Sequence, residues 1–228
     1  MKRSVVNDIL TESDAFIRSH GFVLPPFAYW SPDEMKARTG SDSPMIRDHM
    51  LGWDITDYGQ GDYENLGLFL FTVRNGNAAN VAAGMGMLYA EKLLISDEMQ
   101  ISPMHRHIKK TEDIINRGGG DLVLELFKAD AEGQIDEAAE VAVLTDGAMR
   151  TMGPGARLRL KPGESVTLEP DTWHAFWGEN GKVLIGEVSN VNDDRTDNIF
   201  RESIGRFSEI EEDAAPKHLL VSDYDDWL

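Results

Sequence analysis

Apolar positions recur at two different periods along the chain, and the change of period divides it. Val5, Val6, Ile9, Leu10, Phe16 and Ile17 fall at roughly helical spacing, and Gly21 sits where such a helix would stop. The pattern predicts a helix over residues 4–20. Pro25-Pro26 then breaks the chain. Ser31-Pro32-Asp33-Glu34 joins an N-cap residue, a proline at the first helical position and a glutamate three residues after the cap. A second short helix should therefore run to about Gly40. Residues 1–50 read as a helical leader, with His20 and His49 as surface groups.

From Leu66 the period shortens to that of strands. Leu66 to Arg74 is strand-like and ends at Asn75-Gly76, a hairpin signal. Met85 to Ile95 reads as a long apolar strand interrupted by Glu91 and Lys92, and charges in a buried strand need a partner or a function. Strands follow around residues 100–108 and 112–116, then a turn at Gly118-Gly119-Gly120, then Leu122 to Phe127. Ala131 to Glu140 reads as a polar loop at a hairpin tip. Val141 to Leu144 and Met149 to Thr151 flank Asp146-Gly147, and Arg157-Leu158-Arg159-Leu160 alternates as a half-exposed strand does. Ser165 to Leu168, Trp173 to Trp177 and Val183 to Val188 complete the series, and the acidic stretch from Glu209 to Asp226 reads as a solvated strand or loop. About ten short strands separated by regular turns predict an all-β sandwich or barrel. No repeat or Gly/Ser-rich linker divides the chain, so the leader should pack on residues 51–228 as part of one domain.

Composition narrows the possible functions. The chain has 228 residues, 41% of them hydrophobic, which suffices for one core. Its formal charge is −18, and no Lys/Arg run exceeds two residues. Nucleic-acid binding and attachment to an anionic membrane are therefore not expected. The absence of cysteine excludes disulfides and thiolate catalysis. The amino terminus begins with basic residues, but Asn7, Asp8 and Glu12 interrupt any apolar run, and no stretch is apolar enough to span a bilayer. The cytoplasm is the expected compartment.

The most informative stretch is His105-Arg106-His107 followed by Glu112. Residues two apart on a strand point to one face, so His105 and His107 aim together. Glu112 follows a short polar turn, and Ile114-Ile115 suggest a second strand pairing back on the first. His174, in Thr172-Trp173-His174-Ala175-Phe176-Trp177, is the candidate fourth ligand. Three imidazoles and a carboxylate suit a divalent ion such as Mn²⁺, Fe²⁺, Co²⁺, Ni²⁺ or Zn²⁺ and leave one or two positions open.

The first segment resembles the first cupin motif, in which His105, His107, Glu112 and Gly119 fit while Met99 stands in the slot of the leading glycine. Gly163 and His174 fit the second motif, where Glu169 replaces a proline, Asp171 a glycine and Gly178 an asparagine. The wider chain is similar to the D-lyxose isomerase family of sugar-isomerising cupins. The similarity is strongest at Leu51-Gly52-Trp53-Asp54, Phe71-Thr72-Val73-Arg74-Asn75-Gly76, Tyr89-Ala90-Glu91-Lys92, Glu112 to Gly120, and Gly186 to Asp194. The resemblance implies a double-stranded β-helix (cupin) barrel, a manganese cofactor and interconversion of D-lyxose with D-xylulose, with D-mannose and D-fructose as a second pair. A small neutral sugar would be the substrate, and a homodimer is expected.

An enediol route needs a base that moves a proton between C2 and C1. Lys110 and Glu187 are the candidates, and a dication beside Lys110 would lower its pKa toward neutrality. Lys110 also reads as part of a solvated turn, and Glu187 as a group that holds a ligand imidazole in its tautomer. Lys92 reads either as a site residue or as a lysine snorkelling from a sheet edge. Asp194, in the cluster Asn192-Asp193-Asp194, reads as a hydroxyl-binding group or an Asx turn, and the resemblance favours the former. Three rivals stand beside this reading. One is a phosphosugar isomerase using Lys92, Lys109, Lys110 and Arg117; the others are a non-catalytic sugar-binding cupin and an iron oxygenase on the same ligands.

Overall fold

The computed structural model describes residues 1–194 and 196–228. Helix α1 (Arg3–Ser19) is followed by a 3-10 turn (Pro26–Tyr29) and helices α2 (Pro32–Thr39) and α3 (Met45–Asp48). Strands β1 (Gly52–Thr56) and β2 (Leu68–Arg74) lead through helix α4 (Ala78–Ala83) to β3 (Tyr89–Ser96), β4 (Ser102–His107) and β5 (Glu112–Ala129). Then come β6 (Ile135–Asp136), β7 (Val141–Thr145), β8 (Ala148–Met152), β9 (Ala156–Leu160), β10 (Ser165–Leu168), β11 (Thr172–Asn190) and β12 (Asn198–Phe200). A 3-10 turn (Val221–Asp223) and helix α5 (Tyr224–Trp227) end the chain.

The leader forms as its pattern requires. Helix α1 buries Val6, Leu10, Ser13 and Ile17 along one stripe, and the Gly21 N–H donates to the Arg18 carbonyl at 2.9 Å with a left-handed φ of 79°. At α2 the Ser31 N–H donates to Glu34 and the Glu34 N–H donates to Ser31 Oγ, a complete capping box.

The strands form one antiparallel system of twelve among the described residues, ordered β1-β2-β3-β11-β5-β10-β7-β8, with β4 joined through β11. The result is the cupin-type barrel expected. Both faces of several strands are buried, and the period of two divides their side chains between two cores. In β2, Leu68 and Leu70 enter the barrel interior, while Phe69, Phe71 and Val73 pack with Val6, Leu10 and Ile17 of α1. β3 divides in the same way, with Leu94 inside and Leu93 and Ile95 beneath the helix. Trp53 joins the helix-side core and donates from Nε1 to the Ala28 carbonyl at 2.6 Å, which ties the leader to β1.

Several local expectations are corrected. Asn75-Gly76 is not a two-residue hairpin turn: β2 does pair with β3, but the connection carries α4, and β3 starts at Tyr89 rather than Met85. The buried Asn75 side chain instead bonds the backbone of Asn192. The Gly118–Gly120 run is not a turn but lies inside β5, where it crosses the irregular part of β11. A Cβ on Gly119 would come within 2.1 Å of the Lys182 carbonyl oxygen, so the bend in the two paired strands needs glycine. Trp173–Trp177 and Val183–Val188 are likewise one bent strand, β11. His49 is buried, with Nδ1 2.5 Å from the Asn75 carbonyl oxygen. The acidic tail is not solvated throughout, because Leu219, Leu220, Val221, Asp223 and Tyr224 are buried.

Candidate active site

The strand period also explains how charge reaches the barrel interior. Lys92 shares a face with Leu94, Glu187 with Ile185, Glu112 with Ile114, and Asp54 with Thr56. Each occupies a position whose period neighbour faces inward. Lys92, His105, His107, Lys110, Glu112, Glu187 and Asp194 line one cavity.

His105 and His107 point together from β4, and β11 brings His174 directly opposite His105. One nitrogen from each ring lies within 4.8 Å of the others. Glu112 does not arrive by the expected pairing of β4 with β5; it enters from β5, which pairs instead with β11. Its Oε1 lies 3.2 Å from His107 Nε2 and 3.3 Å from His174 Nε2. Two of the three imidazoles are oriented by backbone carbonyls, His105 Nδ1 by Pro103 at 2.8 Å and His174 Nδ1 by Thr172 at 2.9 Å. Those contacts turn both Nε2 atoms away from the strand. Among the described residues His107 Nδ1 is buried without a hydrogen-bond partner, and His174 Nε2 has only the 3.3 Å approach of Glu112 Oε1; a buried nitrogen left so is costly unless something else engages it. Burial, then the facing His174 and His107 rings, holds His105 well below its ordinary pKa. Burial and then Lys110 lower His107. A metal requires this neutral imidazole form.

Two of the motif departures keep the backbone conformation that glycine favours. Met99 and Asp171 stand where the motifs have glycine, and both keep left-handed φ values, 61° and 68°. A side chain there costs about 1 kcal/mol each, and local bonds hold both in place. The Met99 N–H donates to the Gly178 carbonyl at 2.8 Å, and the Asp171 N–H to the His107 carbonyl at 3.2 Å.

Beside the imidazoles lies a buried charge network. Lys110 Nζ is 2.7 Å from Glu112 Oε2 and 3.0 Å from Glu187 Oε1. Lys92 Nζ is 3.1 Å from Asp194 Oδ1 and 3.7 Å from Glu187 Oε1. Lys92 and Lys110 are 1% and 4% exposed, so neither is a snorkelling or solvated lysine. Burial alone would lower Lys110, but Glu112, Glu187 and Asp194 outweigh it and hold the amine above its ordinary value. The protein groups thus push Lys110 opposite to the fall expected beside a dication. Burial would raise Glu112 and Asp194; lysines outweigh it, and both carboxyls stand well below the usual range.

Sequence reasoning missed four polar residues here. Arg206 Nη2 bridges Asp54 Oδ2 at 2.8 Å and Asp194 Oδ2 at 3.2 Å. Asn198 lines the cavity with Arg206. Asp197 accepts the N–H groups of Ile108, Lys109 and Lys110 and so fixes the turn that presents Lys110. Asp54 had a readable signal, a carboxylate within the buried run Gly52–Thr56. The other three lie in irregular chain or a three-residue strand, where no period exists to read. Arg117 and Lys109, proposed for a phosphate pocket, are exposed and outside the cavity.

A family model described as D-lyxose isomerase matches residues 1–224. The chain is 46% identical over 226 residues to a D-lyxose/D-mannose isomerase of Serratia proteamaculans, covering 98% of each. It is 42% identical to one of Escherichia coli O157:H7 over 228 residues, again covering 98% of each. Among solved structures, L-ribose isomerase of Cellulomonas parahominis with L-psicose is 17% identical, with a TM-score of 0.62, covering 92% of this chain and 98% of that one. L-ribose isomerase of Geodermatophilus obscurus is 18% identical at the same TM-score and the same cover. These structures share the fold.

Proposed function

The chain belongs to the D-lyxose isomerase family and is an aldose–ketose isomerase, and on that premise we propose that it interconverts D-lyxose and D-xylulose, with D-mannose and D-fructose as a second pair. The observation that carries this reading is the convergence of a metal-type imidazole group with the Lys110–Glu187 ion pair in one cavity. His105, His107, His174 and Glu112 would hold a divalent ion, and manganese is the ion we propose. The fit rests on a sulfur-free donor set and on three buried imidazoles whose nitrogens converge beside the Glu112 carboxylate. When bound, the ion supplies Lewis-acid polarisation of the sugar oxygens.

The chain's own residues supply the rest. Glu187 takes the C2 proton of the open-chain sugar and returns it to C1. Lys110 donates to two carboxylates and so acts as an ammonium. It orients Glu187 and offsets the negative charge that builds as the enediol forms. Lys92, Asp194 and Arg206 bind sugar hydroxyls, and Asp54 orients Arg206. Three cations (Lys92, Lys110 and Arg206) and three carboxylates (Glu112, Glu187 and Asp194) line this cavity, and Arg206 is paired in addition with Asp54. That balance suits a neutral sugar and opposes the phosphosugar alternative. Stripping the protein with chelator and assaying D-lyxose conversion tests the reading: turnover should vanish and return with added Mn²⁺. Unchanged turnover without metal would refute it.

A homodimer is the assembly proposed. Residues 75–90 contain no charged side chain in a chain of net charge −18. They expose Val81, Met85, Leu88 and Tyr89 around α4, which itself buries nothing. Two copies of so acidic a chain repel each other except across such a neutral face. A solution mass of two chains that becomes one in Val81→Glu supports this assignment. No helix among the described residues is long and apolar enough to cross a membrane, and the cytoplasm is the compartment proposed.

A further inference from the structure

Strand β12 is three residues long and pairs with β4, with Asn198 opposite His107 and Phe200 opposite His105. Opposed residues of an antiparallel pair project to one face. Both side chains therefore enter the cavity beside the two imidazoles. Asn198 donates from Nδ2 to the Asp194 carbonyl at 3.4 Å, while its Oδ1 is buried with no hydrogen-bond partner among the described residues. A buried amide oxygen in a polar cavity calls for a donor, and a sugar hydroxyl is the donor this cavity would receive.

Phe200 closes the same side with an apolar face. Its ring centroid lies 5.6 Å from that of His105 and 5.6 Å from that of Tyr58. The other apolar lining residues, Leu68, Leu70, Leu94, Ile114 and Phe176, belong to the fully buried barrel core. Phe200 is only partly buried and packs against that core from a short strand. It can be trimmed without opening the barrel, so it is the wall best placed to adjust the space available.

We propose that β12 is the specificity element of the isomerase, with Asn198 Oδ1 accepting one hydroxyl of the sugar and Phe200 limiting the carbon-chain length that fits. The inference rests on the isomerase reading above. D-lyxose and D-mannose test it directly, because they share their configuration at C2, C3 and C4 and differ in chain length.

Steady-state kinetics on both sugars, with bound metal and melting temperature as controls, form the experiment. Phe200→Leu should raise the ratio of kcat/KM for mannose over lyxose by about tenfold, the lower end of what one methylene is worth in a pocket. Should that variant melt early, Phe200→Met replaces it in the same measurement. Asn198→Ala should lower kcat/KM by about tenfold, mainly through KM. That loss should disappear with one of two pentose analogues lacking the hydroxyl at C3 or C4. An unchanged sugar ratio overturns the role of Phe200, and an equal loss on every analogue overturns that of Asn198. Wild-type protein converting neither sugar overturns the isomerase reading and this inference together.

Discussion

Two networks of buried charge lie among the described residues, and they are built differently. One joins α1 to the C-terminal tail. Arg3, fully buried, donates through Nε and Nη2 to Glu212 and through Nη1 and Nη2 to Asp223. No buried atom of that cluster lacks a partner. The other fills one end of the barrel interior, and among the described residues it leaves Asp54 Oδ1 and Arg206 Nη1 buried and unpaired. A network that closes on itself holds two segments in place. One that leaves hydrogen-bonding capacity open carries a standing cost that a bound ligand can relieve. On the function proposed above, the contrast separates the residues that hold the fold from those that would bind and convert the substrate.

The largest expected effect is on activity. Glu187→Gln should lower kcat by about 10²–10⁴ while the melting temperature barely changes. Lys110 would keep Glu112 and Lys92 would keep Asp194, so no cation is stranded. A large loss of stability would instead show that the barrel cluster is structural. Next comes Arg3→Ala, which leaves Asp223 buried without its cation. Denaturant unfolding should show a loss of about 3–5 kcal/mol, with kcat/KM of the folded protein unchanged. Arg3→Met, apolar and similar in length, should cost less.

Two smaller effects have opposite signs. Burial raises the pKa of Asp54, against the pull of Arg206. A carboxyl raised in the folded state costs stability at neutral pH, and the cost fades as pH falls and the group protonates. Asp54→Asn should therefore stabilise the protein at neutral pH, with the difference fading in acid. Its KM should rise as Arg206 loses the carboxylate that orients it. Glu212 is lowered below its ordinary 4.5 by its bonds to Arg3. Its contribution is present above that value and lost as pH falls through the folded pKa. Because Glu212 is half exposed, Glu212→Gln should cost only about 0.5 kcal/mol at neutral pH and nothing in acid. Urea unfolding at several pH values checks both signs.

Legibility followed the range of the interactions. The capping box at Ser31, the stop at Gly21 and the Asp146-Gly147 turn between β7 and β8 depend on residues a few positions apart, and each was readable. Asn75-Gly76 carried the same kind of local signal and misled. The side chain of Asn75 bonds Asn192, 117 positions away, and the chain turns through α4 instead. The Gly118–Gly120 run misled for a related reason, since glycine there serves the crossing of β5 and β11 rather than a reversal. The tail misled because its charges mask Leu219, Leu220 and Tyr224, whose burial depends on packing against distant elements.

By itself the sequence determined which side chains could face inward, through the two-residue period, and which residue types could meet a metal, through the spacing of His105, His107, Glu112 and His174. Those properties belong to single segments. Only the tertiary structure decided which inward-facing charges meet. Arg206 reaches Asp54 across 152 positions, and β12 reaches β4 across nearly a hundred. A period fixes the face of a strand but not its neighbour. Closure of the barrel chooses the neighbours, and with them which charges end fully paired and which keep open hydrogen-bonding capacity.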